Sequence, residues 1–503
     1  MRILHTSDWH LGRTFHGRVL DDAHAVFADH LVELARAEAV DAVVVSGDVY
    51  DRAIPPTDSV RLLDETLRRL SDITRVILTP GNHDSARRLG FASDLLREGL
   101  TIRARIADVD RPVIVPGPDG GDGLYVYALP YLDPDAARET LPPLLADRLG
   151  EEMADAARTA DPDADPDAAR TAPEGAGGHS EKAAGDPPGT ASDAATRRLP
   201  RSHEAVVSGA LRLVAADLAA RRAAAPARVP ALVMSHAFVV GGLPSEESER
   251  DIRVGGVDSV PSGVFASLGG SPSARECGGL DYVALGHLHR PQEIRSAGGA
   301  GRPNGPGKAS GTGGPDHSSR SGGTGGPEAG ESDGPGESGP PQRDSRPGPR
   351  LVYSGSPLAL SFSEAPFPKS SVLVALGPDG VASLERVPAP VPHRIETVTG
   401  TMDELLSPAW DHAAGAWVRA VVRGPMPLGA TSRLRERFGQ VLAIVREEDE
   451  EAPRERIVVT RAADPLEVSA QFLAEVAERA PSPAERAVLA RAYEAVLASH
   501  GGE

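Results

Sequence analysis

Short apolar runs that each end in polar residues recur along the chain. They read as strands and cover residues 2–10, 41–51, 75–84, 231–237 and 281–289. Residues 21–39 and 58–70, which separate the first three runs, carry apolar side chains at helical spacing. Strands that alternate with helices predict parallel pairing, with the helices packed on the sheet faces. The pattern therefore predicts an α/β fold.

The pattern of predicted strands and helices changes near residue 394. Residues 394–462 read as a strand, a second strand, a helix that leads into a strand, and a last strand, so we expect a small α/β domain there. Beyond it, DPLE at 464–467 and SPAE at 482–485 each supply a cap residue, a proline at the first helical position and a glutamate at the third. These signals predict two short amphipathic helices in a tail over residues 463–503.

Two segments, residues 156–202 and 296–349, lack apolar periodicity and are dense in Gly, Pro, Ala, Asp and Ser. Ordering such segments costs backbone entropy that little burial would offset. We therefore expect disordered insertions within one large domain over residues 1–393, with His179 and His317 as bystanders.

Composition narrows the classes of protein. A chain of 503 residues is too long for one typical core. Its net charge of −19 argues against a broadly basic nucleic-acid coat and leaves local basic patches or metal ions as routes to nucleic acid. Cys277 is the only cysteine, which excludes an intrachain disulfide and a cysteine-based zinc site. No apolar run reaches the roughly 18 to 20 residues of a membrane span, so we expect a cytoplasmic protein without membrane attachment.

Each of the five apolar runs ends in side chains that can bind metal. The clusters read D-x-H, GD-x-x-D, GNHD, a single H and GH-x-H, and contain Asp8, His10, Asp48, Asp51, Asn82, His83, Asp84, His236, His287 and His289. Ligands of α/β sheets gather beyond the carboxyl ends of strands, which predicts one shared site. Carboxylate oxygens, imidazoles and an amide oxygen without thiolates suit Mn²⁺, Fe²⁺ or Zn²⁺.

Each cluster by itself has a simpler explanation. DWH is more often a turn than a ligand set, and a lone histidine such as His236 is usually a core or surface residue. The recurrence at five strand ends favours a shared metal site. For Asp51 and Asp84, two interpretations are equally favoured. Each residue either supports the metal ligands or simply forms a turn. Four nearby histidines are expected to be structural, namely His5, His16, His24 and His30.

This ordered set of clusters resembles the calcineurin-like metallophosphoesterase family over the ordered parts of residues 1 to about 295. HTSDWHLGR at residues 5–13, GDVYDRAIPP at 47–56 and YSGSPLALSFSEA at 353–365 are similar to one branch of that family, the nuclease subunits that work with a coiled-coil ATPase. The resemblance implies a β-sandwich flanked by helices, a small capping domain, and a site for two divalent metal ions, Mn²⁺ above all.

The resemblance also implies a role for each site residue. One metal would be held by Asp8, His10, Asp48 and His289, and the other by Asp48, Asn82, His236 and His287, so that Asp48 bridges the two. His83 would then be free to donate a proton or hydrogen bond to the phosphate, with Asp84 orienting it. GDVYDR is also similar to the GD-x-x-DR of protein phosphatases, in which Arg52 would bind phosphate.

The leading hypothesis is a manganese-dependent DNA nuclease subunit. In it, residues 1–393 cut DNA ends and hairpins, 394–462 cap the site or position the DNA, and 463–503 dock the ATPase in a heterotetramer that contains a homodimer of this chain. A phosphatase or cyclic-nucleotide phosphodiesterase is an alternative, although a small substrate would not require the extra domain and tail. A scaffold that tethers DNA ends without cutting is a third, against which the intact ligand set argues.

Overall fold

A computed structural model describes residues 1–96, 98–150, 198–245, 259–294, 348–447, 481–482, 484–489 and 491. The chain divides into two compact units, one of residues 1–422 and 426–445 and the other of residues 423–425 and 446–503. The strand predicted near 454–462 and the helix predicted to begin at 464 lie outside the described residues, as do positions 156–197 and 296–347 of the two predicted insertions.

The first unit is a mixed α/β structure. Its labelled strands are β1 (Arg2–Thr6), β2 (Ala42–Ser46), β3 (Arg75–Thr79), β4 (Leu100–Ile102), β5 (Val113–Pro116), β6 (Asp122–Ala128), β7 (Ala231–His236), β8 (Tyr282–Gly286), β9 (Gln292–Ile294), β10 (Arg350–Tyr353), β11 (Ser370–Gly377), β12 (Gly380–Pro388), β13 (Ile395–Gly400), β14 (Trp417–Val422) and β15 (Val441–Arg446). Two-residue strands pair Thr14–Phe15 with Arg18–Val19 and Phe238–Val239 with Ser259–Val260.

The longer helices are α1 (Asp21–Ala37), α2 (Thr57–Ser71), α3 (Pro134–Leu149), α4 (His203–Ala224) and α5 (Ala430–Phe438). Single helical turns lie at Ala86–Leu89, Ser262–Ala266, Ser273–Glu276 and Met402–Leu405, and 3₁₀ turns at Ser93–Leu95, Ile106–Asp108, Phe362–Glu364 and Pro408–Ala413. No helix in the described part of the chain has the length and apolar character needed to cross a bilayer.

Two six-stranded sheets form the centre of the fold. The first has the order β12-β11-β1-β2-β3-β4, and the second has the order β9-β10-β8-β7-β6-β5. In the first sheet β1 to β4 are parallel, and in the second β10, β8, β7 and β6 are parallel. The predicted parallel pairing is confirmed. The five predicted strands nevertheless split between the sheets, with β1, β2 and β3 in one and β7 and β8 in the other.

Side chains alternate along the strands. One set packs between the two sheets, and the other packs against the helices on the outer faces. In β2, Val44 points toward the second sheet, where it joins Leu232 in one buried cluster, whereas Val43 and Val45 pack with residues of α1 and α2. The outer face of the second sheet packs with α3 and α4, for example through Val233. Burial of each such side chain stabilises the fold by roughly 1.5 to 3 kcal/mol. The result is a β-sandwich flanked by helices.

The packed fold resumes earlier than the first predicted insertion allows. Leu199 is buried in the cluster under α3 and α4, and its N–H donates to Arg138 O at 3.2 Å. Ser202 caps α4, because its Oγ accepts from Ala205 N at 3.2 Å. Residues 198–202 therefore belong to the fold.

A three-stranded sheet in the order β13-β14-β15 follows the sandwich, with β13 parallel to β14. It has its own apolar cluster, in which Val398 and Val418 pack with Leu434 and Phe438 of α5. This order of strand, strand, helix and strand matches the prediction for residues 394–446. A second cluster joins Trp417 to residues of the sandwich such as Phe15 and Phe362.

The second unit is described mainly around residue 482. Residues 484–489 are helical. Ser482 N donates to Glu485 Oε2 at 2.7 Å, and Glu485 N donates to Ser482 Oγ at 3.3 Å. This reciprocal pair is a capping box, so the predicted helix start at SPAE is confirmed.

Candidate metal centre

The polar clusters meet at one edge of the sandwich. Because the central strands of each sheet are parallel, their carboxyl ends lie on the same side. His236, which ends β7, places its Nδ1 3.0 Å from the carbonyl oxygen of Ser46, which ends β2 in the other sheet. The candidate site therefore spans both sheets.

Four candidate ligands have positive φ angles, which are unusual for residues other than glycine. Asp8, His10, Asp48 and His287 have φ angles of 54°, 48°, 48° and 105°. Non-glycine residues with positive φ cost of order 1–3 kcal/mol each and cluster at functional sites. Hydrogen bonds hold two of them in place, since Asp8 N donates to Gly47 O and His10 N donates to Asp48 O, each at 3.0 Å. These four residues therefore adopt a strained backbone conformation at the candidate site.

Two of the preceding glycines are required by close packing. A Cβ on Gly81 would collide with the Asp48 carboxylate, and one on Gly286 would collide with the Ser46 carbonyl. At both positions, the end of one strand packs directly against the end of another strand that carries candidate ligands. Glycine therefore lets the clusters approach within ligand distance.

Asp8, His10 and His289 form the first donor set. One potential ligand atom from each lies within 4.8 Å of the others, and all three side chains are buried. The His10 and His289 Nε2 atoms face each other at 3.0 Å. Two ring nitrogens that each bind one ion at about 2.1 Å, at a right angle, would be about 3 Å apart. This geometry fits a metal ion between the rings.

Asp48 connects this set to a second one. Its Oδ2 lies 3.4 Å from His236 Nε2 and 3.7 Å from His10 Nε2. His236 Nε2 is also 2.9 Å from Asn82 Oδ1, and Asp8, Asp48 and His236 form another set with donor atoms within 4.8 Å. One short carboxylate thus reaches donors on both sides, as a bridging ligand must.

Burial and neighbouring charges shift the pKa values of Asp48 and His236. Burial alone would raise the pKa of Asp48, but the adjacent His236 and His10 hold that pKa well below its usual range. Burial would lower the pKa of His236, yet Asp48 raises it to about 9. The Asp48 carboxylate and the His236 ring thus favour opposite charges on each other.

His287 and His83 occupy less simple positions. His287 N donates to Asp8 Oδ1 at 3.0 Å, and its ring packs 5.4 Å from the ring of His236, but no donor set found in the described residues includes it. His83 N donates to Asp48 Oδ1 at 2.8 Å, and His83 forms a further donor set with His10 and Asp48. His83 therefore lies within ligand distance, although the family resemblance assigns it to the phosphate and not to a metal ion.

The supporting residues differ from one another. Asp51 Oδ1 lies 3.5 Å from His10 Nδ1 and accepts from Arg13 Nη1 at 2.9 Å. Burial would raise the pKa of Asp51, but these two partners lower it strongly. The neighbouring Arg52 is exposed. Asp51 is thus placed to orient the ring of His10.

Asp84 binds the backbone of two neighbouring loops. Its carboxylate accepts the backbone N–H groups of Val49, Tyr50 and Gly81 at 2.9 to 3.0 Å, and so ties the two loops together. His83 Nδ1 lies 2.8 Å from the carbonyl oxygen of Asp51. The expectation that Asp84 orients His83 stays a prediction.

Two predicted structural histidines are confirmed as buried and paired. His5 Nδ1 lies 2.9 Å from the Tyr282 hydroxyl between the sheets, and His24 Nε2 lies 2.8 Å from Trp9 O. His16 is exposed and His30 is half-buried, and neither belongs to a donor set found in the described part of the chain.

The structure adds residues to the site that the sequence pattern did not single out. Glu364 Oε1 lies 3.1 Å from His289 Nδ1. The ring of Tyr131 lies 6.2 Å from that of His236, and its hydroxyl is 3.3 Å from His203 Nε2. Glu364 lies inside a motif quoted for the family resemblance, which was the only sequence signal for it. Tyr131 and His203 follow no strand-end cluster, so nothing in the pattern marked them.

Comparison with known proteins matches part of this chain to a family model and to three relatives. Residues 1–136 match the model of the calcineurin-like phosphoesterase family. The chain is 34% identical over 305 residues to the SbcD component of nuclease SbcCD from Rhodobacter capsulatus, covering 58% of this chain and 59% of that protein. It is 29% identical over 389 residues to the corresponding component of nuclease SbcCD from Bacillus subtilis, covering 77% and 69%.

A third relative, the same component of nuclease SbcCD from Staphylococcus saprophyticus, is 26% identical over 299 residues, covering 59% of this chain and 58% of that protein. The chain thus spans a little under three fifths of the length of two of these relatives and 69% of the third.

Proposed function

We propose, for a chain that carries a calcineurin-like phosphoesterase domain, that it is the nuclease subunit of an SbcCD-type complex and hydrolyses DNA phosphodiesters with two Mn²⁺ ions. The observation that carries the proposal is the position of Asp48 between two buried sets of nitrogen and oxygen donors. A carboxylate in this position could be shared by the two ions of a two-metal site. The relatives belong to a nuclease, which supports a nucleic acid as the substrate.

Each ion would have its own ligands. Asp8, His10 and His289 would hold one ion and Asn82, His236 and His287 the other, with Asp48 shared. Two divalent ions would neutralise charge on the attacked phosphate and lower the pKa of the attacking water. The mixture of imidazole and carboxylate donors without sulfur supports Mn²⁺ over Mg²⁺.

His83 would act on the phosphate or on the leaving oxygen. The contact between its Nδ1 and the Asp51 carbonyl places a proton on Nδ1, so a second proton on the ring would be carried by Nε2. In its protonated form the ring would donate from Nε2 to the leaving oxygen, which is the role of a general acid.

Local positive charge supports an anionic polymer as substrate despite the net charge of −19. Arg52, Arg87 and Arg88 are exposed on segments that directly follow β2 and β3, the strands that lead into Asp48 and Asn82. Arginines at these positions would contact the DNA backbone next to the metal ions.

The remaining parts of the chain receive roles by the same analogy. Residues 394–462 would cap the site and position DNA, and residues 463–503 would dock an SbcC-type coiled-coil ATPase. The assembly would contain a homodimer of this chain within a heterotetramer that acts on double-stranded DNA ends and hairpins in DNA repair, recombination and replication. Its place would be the cytoplasm, on the nucleoid when bound to DNA.

The test uses the purified full chain with Mn²⁺ on end-labelled duplex and hairpin DNA. Bis(4-nitrophenyl) phosphate and 4-nitrophenyl phosphate are assayed in parallel as a generic diester and monoester. Cleavage of DNA and of the diester, abolished by EDTA and restored by Mn²⁺, is the expected result. Hydrolysis of the monoester without any cleavage of DNA would overturn the proposal and favour a phosphatase that acts on small substrates.

A further inference from the structure

His289 is held by a buried carboxylate on the side of its ring that faces away from His10. Glu364 is 0% exposed, and its Oε1 lies 3.1 Å from His289 Nδ1. The opposite ring nitrogen, Nε2, lies 3.0 Å from His10 Nε2 in the first donor set. An ionised carboxylate only accepts hydrogen bonds, so this contact places the imidazole proton on Nδ1. The lone pair of Nε2 then points into the donor set.

A buried lysine fixes the carboxylate in turn. Lys369 is 6% exposed, and its ammonium forms an ion pair with Glu364 Oε2. The same ammonium donates to the carbonyl oxygen of His289 at 2.9 Å and to Ser356 Oγ at 2.8 Å. Lys369 therefore neutralises the charge of Glu364 and also holds the backbone of His289. A buried carboxylate without such a partner would be costly.

The segment that carries these residues touches a second ligand of the same set. Residues 354–369 connect β10 of one sheet to β11 of the other. At its start, Ser354 Oγ lies 2.8 Å from Ser7 Oγ, which donates to Asp8 Oδ2 at 2.5 Å. The segment thus contacts the surroundings of both Asp8 and His289, which come from different sheets.

We propose that Glu364 is a positioning residue for the first metal ion, and that the segment 354–369 braces the ligands Asp8 and His289 from behind. Glu364 sets the tautomer and the direction of His289, and Lys369 keeps Glu364 in place. Carboxylates that orient metal-ligating histidines typically contribute about 10- to 100-fold to metal affinity. This inference rests on the two-metal site of the proposed function.

The experiment is calorimetric titration of the metal-free full chain with Mn²⁺, together with thermal melts of the same samples. Glu364→Ala should weaken one of the two ions by about 10- to 100-fold and leave the other within about twofold of the wild type. The matched control is Glu293→Gln, because Glu293 also pairs with a basic side chain, Arg350, at 2.7 Å but lies on the partly exposed β9. The control should leave both affinities unchanged.

Two double variants separate positioning from simple stabilisation. Glu364→Ala with Lys369→Met removes both buried charges, so the melting temperature should recover relative to Glu364→Ala while the weakened ion stays weak. Glu364→Gln with Lys369→Met loses the same contacts of Lys369 but keeps an oxygen acceptor for Nδ1–H, so it should bind the weakened ion more tightly than the first double variant does.

Recovery of melting temperature and metal affinity together in the first double variant would overturn the positioning role, as would wild-type affinity for both ions in Glu364→Ala. These outcomes leave the nuclease proposal standing. A wild-type chain that binds two ions but cleaves no DNA would count against the nuclease and leave the role of Glu364 intact.

Discussion

Asp48 and His236 lie on different sheets of the sandwich, and Asp48 Oδ2 is 3.4 Å from His236 Nε2. Strand β2 ends just before Asp48, and β7 ends at His236, so this contact exists only when the two sheets are packed together. The candidate metal centre therefore depends on the complete sandwich core. Metal binding and folding of the first unit should be thermodynamically linked.

Asp48→Ala tests the bridge. The variant should lose DNA cleavage and bind fewer than two Mn²⁺ per chain, because one residue serves both donor sets and its loss leaves buried imidazoles without their anion. Mass spectrometric metal analysis after desalting gives the count. Asp58→Ala removes an exposed aspartate on α2 and is the control. Two full equivalents in the Asp48 variant would contradict the bridging role.

His83→Ala distinguishes a proton donor from a ligand. If His83 is the general acid, the variant should keep both ions and lose roughly 10²- to 10⁴-fold in turnover. Metal content and single-turnover cleavage are measured on the same preparation. Loss of one ion would instead make His83 a ligand, in agreement with the donor set that it forms with His10 and Asp48.

Trimming the first predicted insertion tests where the fold resumes. Replacement of residues 156–197 by a short Gly-Ser linker should leave the melting temperature nearly unchanged, because the cost of loop closure depends weakly on length. Extending the deletion to residue 202 removes buried Leu199 and the Ser202 cap, and should cost about 3 kcal/mol or more of unfolding free energy. Equal melting temperatures for the two deletions would contradict the packing of residues 198–202.

Truncation after Ala463 tests the docking role of the tail. The shortened chain should still cleave a simple substrate with Mn²⁺, because every candidate ligand lies in the first unit. It should fail to co-purify with an SbcC-type ATPase and lose ATP-stimulated cleavage, since short amphipathic helices need a partner surface to be stable. Full retention of the complex would move the contact to another part of the chain.

His5 predicts a dependence of stability on pH. Burial between the sheets lowers the pKa of His5 from 6.5 to about 3, although a backbone hydrogen bond with Leu285 opposes the shift. Because the folded pKa lies below the unfolded value, this contribution to stability is complete above pH 6.5 and is lost as the pH falls toward 3. The unfolding free energy should decrease by about 1.4 kcal/mol per pH unit from this residue alone.

The comparison uses His5→Gln, which keeps a partner for the Tyr282 hydroxyl but does not titrate. Denaturant unfolding of both proteins without metal, across the acid range, should give a shallower slope for the variant by that amount. Parallel slopes for wild type and His5→Gln would show that His5 is protonated without cost in the folded state.

The sequence by itself determined the local elements and the donor chemistry. Period-two and period-3.6 patterns are properties of neighbouring residues, so β1, β2, β3, α1 and α2 follow directly from them. The D-x-H and GNHD clusters at strand ends likewise indicate metal ligands without tertiary information. The capping box at Ser482 and Glu485 belongs to the same class of local signals.

Tertiary structure decided which distant residues meet. Asp48 contacts His236 because two separate sheets pack against each other. Glu364 contacts His289 because residues 354–369 cross from one sheet to the other. Asp84 accepts hydrogen bonds from the backbone N–H groups of Val49 and Tyr50, because the fold brings these residues to it. These contacts arise between segments far apart in the chain, where no local periodicity carries information and only the packing of the core fixes which side chains face each other.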